Sequence, residues 1–252
     1  MSTAIALRMT GADFLKLRKK RGTLIWALVL ACVPLIIFFV ANAIQNTVPN
    51  FTDGLNVLAR LFGLLAAILI GVEAGTSDTA TGVFRDLVVT GRSRLALFAT
   101  RVPAALGMCW LVIVGAYLLL VVGTYALAQG ESTPDTALIF NALGYTLLAT
   151  GAVCVVAVGF ASLITSKPGA IIALIAWQIV ASPLIVAIDS LGSARDGVLS
   201  QALVHYSPVR FEGGRHGATI LTMSGATALL VVVAWLAVFL ALGAWRTRTM
   251  DA

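Results

Sequence analysis

An all-α integral membrane fold of six transmembrane helices is the architecture this sequence predicts, and three observations predict it. Of 252 residues, 60% are hydrophobic and only 11% are charged, with a mean hydropathy of +0.99; soluble domains run near half apolar and a quarter charged. Charge-free apolar runs recur at about residues 24–44, 61–72, 102–128, 137–166, 168–188 and 219–245. Most reach the roughly 20 residues that cross a bilayer core at 1.5 Å per residue. Lys and Arg gather in alternate connecting segments, as the positive-inside rule asks of a chain threaded back and forth.

At the N-terminus, residues 3–21 place Leu7, Phe14 and Leu17 near one helical face and Arg8, Lys16, Lys19 and Lys20 largely elsewhere. That pattern suits an amphipathic interfacial helix on the inner membrane surface, although an ordinary basic flank would have the same composition. Gly22 and Thr23 can make the bend into the first span, 24–45, where Trp26 sits at an inner aromatic belt. This run is too long for a cleavable leader, so the first span is expected to stay in the protein. The second span, 55–76, crosses if Arg60 and Glu73 lie near opposite interfaces, where their charged heads reach water.

The inner loop that follows is long and charged. Within it, residues 79–90 read as a short helix with Val83, Phe84 and Leu87 on an apolar side and Arg85 and Asp86 exposed. Thr90 and Gly91 end it, and Arg92, Ser93 and Arg94 lead into the third span, 101–128. The fourth and fifth spans, 137–166 and 168–188, are separated only by the turn around Lys167 and Pro168. An outer segment, 189–219, carries an apolar stretch at 198–204 that is too short to span and is expected to pack at the outer surface or dip partway in. The sixth span, 220–245, ends at Trp245.

Charge sets the expected orientation. Arg8, Lys16, Arg18, Lys19, Lys20 and Arg21 precede the first span, Arg85, Arg92, Arg94 and Arg101 lie between the second and third, Lys167 precedes the fifth, and Arg246 and Arg248 end the sixth. With alternating spans these fall on one side, the cytoplasm, so both termini are expected inside a multi-pass protein of the plasma membrane. The pI of about 9.7 then follows from topology, with membrane lipids as partners and no nucleic acid.

Chemistry is sparse. The G-x-x-x-x-G-K-[ST] phosphate loop is missing from the chain, and Lys167 is followed by proline, so no ATP hydrolysis is expected of the chain itself and no catalytic residue is assigned. His205 and His216 lie 11 apart in a loop, and Cys32, Cys109 and Cys154 sit singly in apolar runs, so neither a metal site nor a disulfide framework is expected. Asp53-Gly54 followed by Ala59-Arg60 approximates the D-G-x-x-A-R signature of membrane phosphotransferases, but the spacing is wrong and no paired aspartates follow. Asn42, Gln45, Gln178 and Ser182 are polar groups within spans that could line a substrate path; bonding across helices, or to backbone freed by Pro183, is the structural alternative. Gly71 and Gly75 form a G-x-x-x-G that permits close helix contact.

The most informative stretch runs from Glu73 to Arg101. There Asp78, Gly82, Leu87, Thr90, Ser93, Arg94 and Arg101 are spaced as an acidic residue, a short leucine-bearing helix, a Ser-Arg turn and a later basic residue. In this the chain resembles the ABC-2 type permeases, membrane subunits of ATP-binding-cassette exporters, with Gly91 where proline is usual and Val83 where threonine is. The layout of the whole chain is similar to theirs, of the type V exporter kind. The resemblance implies that residues 79–90 are a coupling helix seated on a separate dimeric ATPase, which would bind ATP and Mg, with no cofactor in this chain. Phe84, Arg85, Asp86, Leu87, Arg92 and Arg94 would make that contact, and a second permease chain, identical or paralogous, would complete a pathway exporting a hydrophobic or amphipathic substrate such as a drug, lipid or peptide. The alternative is a non-transporting scaffold or sensor that binds a cytoplasmic regulator.

Overall fold

A computed structural model describes residues 3–80, 93–128, 133–164, 166–209 and 223–249. Among the described residues the regular structure is helical, with no strand. The helices are α1 (Thr3–Lys19), α2 (Arg21–Ile44), α3 (Phe51–Asn56), α4 (Gly63–Ala80), α5 (Arg94–Ala126), α6 (Thr136–Ala161), α7 (Lys167–Ala176), α8 (Ser182–Ala187), α9 (Leu199–Val204) and α10 (Gly225–Thr249). π-Helical turns at Val57–Phe62 and Trp177–Ala181 join α3 to α4 and α7 to α8, and a 3₁₀ segment, Asp189–Gly197, leads to α9. Counting the joined pieces as single rods, six helices are long and apolar enough to cross a membrane: Arg21–Ile44, Phe51–Ser77, Arg94–Ala126, Thr136–Ala161, Lys167–Ala187 and Gly225–Thr249. We number them spans one to six.

Two bounds differ from expectation for identifiable reasons. Span three begins at Arg94, seven residues before the expected 101, because Ser93 caps the helix: its Oγ accepts from the Ala96 N–H at 3.3 Å. Arg101 does not mark a helix end, being only 4% exposed within the rod. With 33 residues the rod is about 50 Å long, well beyond a hydrocarbon core of about 30 Å. Span two begins at Phe51, four residues before the expected 55, so Arg60 lies on the π turn about 13 Å along the rod.

The π turns have local causes. In the first, the Gly63 N–H donates to the Leu58 carbonyl, and a Cβ at position 63 would stand 2.4 Å from that oxygen, so glycine is required to close the turn. In the second, Pro183 cannot donate to the carbonyl four residues before it, and the wider turn just upstream accommodates that loss.

Spans two and four form the centre of the bundle, whereas spans one, five and six leave most of their surface outward. A Cβ at Gly71 would meet the Cys154 carbonyl oxygen at 2.6 Å and the Ala157 Cβ at 2.7 Å, and one at Gly75 would meet the Val158 oxygen at 2.7 Å. The G-x-x-x-G therefore brings α4 onto α6 within the chain. Farther along α6, Gly159 lies so close to α10 that a Cβ would stand 2.3 Å from the Phe239 oxygen. The helix α1 packs along the start of α5, burying Met9 and Leu17 and laying Phe14 against Gly107. Leu7, placed on that same apolar face by periodicity, is instead 73% exposed: the face turned to α5 runs through buried Met9, half-buried Asp13 and buried Leu17, one turn apart.

Candidate functional site

The C-terminal end of α1, the starts of spans one, three and five, and the ends of spans two, four and six lie at one end of the bundle, which we call the basic end. Its organising group is Glu73, on the last turns of α4 and 3% exposed. Lys167, at the start of α7, donates to Glu73 Oε2, and Thr23 Oγ1 in α2 donates to the same oxygen at 2.8 Å. Lys20 Nζ, just before α2, stands 3.6 Å from Oε1. A buried carboxylate is tolerated because both oxygens are met by charge or hydroxyl, and the two ammonium groups keep about two fifths of their surface exposed. One side chain thereby ties the ends of spans one, two and five.

Two further ties complete this end. Arg94 Nη1 donates to the Arg248 carbonyl at 3.2 Å, joining the start of span three to the end of span six. Thr100 Oγ1 donates to Asp13 Oδ2 at 2.8 Å, pinning α1 to α5, with Lys16, Arg101, Ala74 and Ser77 around the pair. Burial, and then the neighbouring Arg101 charge, hold the Lys16 ammonium below the ordinary lysine value, while Asp13 partly offsets them. Asp13→Ala removes the acceptor of Thr100 and the carboxylate that most offsets the positive charge around Lys16. It is expected to weaken the docking of α1 by about 1–3 kcal/mol, seen as faster tryptic cleavage at Arg18 and Lys19. An unchanged cleavage rate would contradict the pinning.

Of the residues expected to contact an ATPase, only Arg94 falls among the described ones; Phe84, Arg85, Asp86, Leu87 and Arg92, with most of helix 79–90, lie outside them. Residues 79 and 80 belong to the end of α4. The segment 81–92 thus departs from Ala80, two turns beyond Glu73, and returns at Ser93, beside Arg94.

The four expected path residues separate into two places. Asn42 Nδ2 donates to the Phe38 carbonyl, its Oδ1 accepts from Thr47, and Gln45 is the exposed C-cap residue of α2, so both stand at the end of span one opposite the basic end. Gln178 lines an apolar cavity of about 200 Å³ enclosed by α4, α6, α7, α9 and α10. Ser182 lies one turn farther along and shares a 2.6 Å hydrogen bond with Ser200, another lining residue. Val198, Leu199, Ala202 and Leu203 are buried, so the stretch read as too short to span packs on the bundle and roofs the cavity at the level of Ser182. Trp235 fixes the roof by donating from Nε1 to the Gly197 carbonyl at 2.9 Å.

Sequence reading anticipated neither the Glu73 junction nor the aromatic wall of the cavity. Charge complementarity between Glu73 and Lys167 was the available signal for the first. Among the described residues no cluster of His, Cys, Asp and Glu could hold a metal ion. Compared with known proteins, the chain matches no protein-family model and no curated protein.

Proposed function

We propose that this chain is the membrane subunit of an ATP-driven exporter of the ABC-2 permease kind, moving a hydrophobic or amphipathic substrate across the plasma membrane with both termini in the cytoplasm. ATP and Mg are bound by a separate ATPase dimer, and a second permease chain completes the pathway. The observation that carries this reading is the tied basic end. Glu73, Arg94 and Asp13 connect α1 and spans one, two, three, five and six in one layer, and the segment 81–92 springs from two points of that layer. A force applied to such a segment is shared among the spans, which a coupling element driven by a soluble motor requires. The mostly apolar spans, with few fixed charges, suit an apolar cargo better than an ion-coupled one.

The test is purification of the tagged protein from its native membrane in mild detergent, with identification of the chains that accompany it and assay of ATPase activity. A co-purifying nucleotide-binding subunit is expected. Leu87→Asp is expected to lower substrate-stimulated ATP hydrolysis at least tenfold, because a charge in a desolvated docking cleft costs more than 1.4 kcal/mol. Wild-type hydrolysis and transport in that variant would remove the docking assignment. Recovery with a protein that binds no nucleotide would favour a scaffold or sensor.

A further inference from the structure

The cavity beside Gln178 has a composition and a depth that together point to a ligand. Its walls are hydrocarbon and aromatic: Trp177 and Trp235 stand with ring centroids 5.6 Å apart, Trp235 and Phe239 stack at 5.5 Å and 19°, and Phe160 meets Phe239 edge-on at 6.0 Å. These rings form a continuous aromatic wall between spans four, five and six. Gln178 lies 11 residues from Lys167 in a 21-residue rod, about 16 Å along it and therefore near mid-membrane depth. Among the described residues its amide has no hydrogen-bond partner, and neither does the Trp177 indole N–H. In hydrocarbon a primary amide without a partner is costly, and the polar group of a ligand would satisfy it. Ser200, by contrast, is already engaged with Ser182.

The way in is also visible. Span five packs on α4 and α6, but close backbone contact with α10 is not among its main packing contacts; between them the gap is closed by side chains, Trp177 against Trp235. Ala173, on the cavity lining, is exposed. A molecule dissolved in the bilayer would enter sideways, between spans five and six, by parting the Trp177 and Trp235 side chains.

We infer that this cavity is a binding site, within a single chain, for a small aromatic molecule of one substituted ring or two fused rings bearing a hydrogen-bonding group. The ring lies against the aromatic wall and its polar group pairs with the Gln178 amide. The volume sets the size class: an apolar cavity of 150 Å³ already accepts benzene, and about 200 Å³ leaves room for a substituent but not for a lipid tail. The aromatic wall sets the shape, since stacked and edge-on ring contacts favour a planar partner over a flexible chain. The unbonded amide sets the polarity. This inference stands apart from the exporter reading, because it concerns one purified chain without nucleotide or partner.

The test uses the full chain in phosphatidylcholine vesicles. Of its five tryptophans, Trp26, Trp110 and Trp245 are exposed and are replaced by Phe, leaving Trp177 and Trp235 as the reporters. Bromophenol, whose bromine quenches nearby indole fluorescence, is expected to quench them saturably. Gln178→Leu, which keeps the side chain's approximate size, is expected to weaken that binding about three- to tenfold, the worth of one hydrogen bond. Phenol should displace bromophenol from the unaltered cavity several times better than benzene does, a comparison that holds even if the Gln178 variant folds poorly. Quenching that never saturates, phenol and benzene competing equally, or equal quenching by lipids brominated along their chains would overturn the proposal, the last by showing that acyl chains fill the space.

Discussion

A single added carbon at position 71 is expected to destabilise the protein by about 3 kcal/mol, the upper end for forcing an atom into a packed interior. In Gly71→Ala the new Cβ would arrive 2.6 Å from the Cys154 carbonyl oxygen and 2.7 Å from the Ala157 Cβ. Neither neighbour can swing aside, since one is backbone and the other has no rotatable side chain, so α4 and α6 must separate along the most buried seam of the bundle. Gly115→Ala is the matched control. Nothing lies within 4 Å of a Cβ there, and alanine is favoured in a helix by up to about 1 kcal/mol. Thermal unfolding in detergent compares the two, and equal melting temperatures would contradict the described packing of α4 on α6.

Neutralising Glu73 is the second change with a large expected effect. Glu73→Gln keeps an acceptor for Thr23 but leaves Lys20 and Lys167 without their counter-charge. Removing one partner of a fully buried pair costs about 3–5 kcal/mol. Here both lysines are about two fifths exposed and can hydrate, which reduces the expected loss to about 2 kcal/mol. The double variant Glu73→Met with Lys167→Met is expected to recover most of that, because an apolar pair of similar volume removes the buried charge together with its nearer counter-ion and leaves Lys20 free to hydrate. If the double variant is less stable than the single one, the junction depends on something other than this pairing. Transport, on the proposed reading, should fall in both variants, since an apolar pair restores stability without restoring the charged tie between spans two and five.

The six long apolar rods were legible in the sequence because hydropathy over some 20 residues is a property of each segment alone. Their ends were less so. Arg94 and Arg101 resemble a membrane boundary by composition, but Ser93 starts the helix and α1 covers Arg101, and the second of these is a tertiary fact that no window along the chain contains. Gly71 and Gly75 announced a close contact without naming the partner, which lies on a helix more than 80 residues away. Glu73 and Lys167 are 94 residues apart, and nothing local distinguishes that lysine from the others of the basic end. Gln178 and Ser182 were visible as polar residues in an apolar run, whereas Trp235, Phe239 and Phe160 looked like ordinary span residues until three helices placed their rings on one wall.

The two π turns carry a consequence for motion. A π turn holds one residue more than an α turn, and it can migrate along a rod by exchanging one hydrogen bond at a time, without melting the helix on either side. Each residue it passes is rotated by about 100° and advanced by about 1.5 Å. Span five has such a turn at Trp177–Ala181, at mid-length, with Gln178 on it and the Lys167 tie at one end. A one-step shift of that turn would revolve the middle of the rod while its foot stays anchored, turning Gln178 from the cavity toward the bilayer as a key turns in a fixed lock.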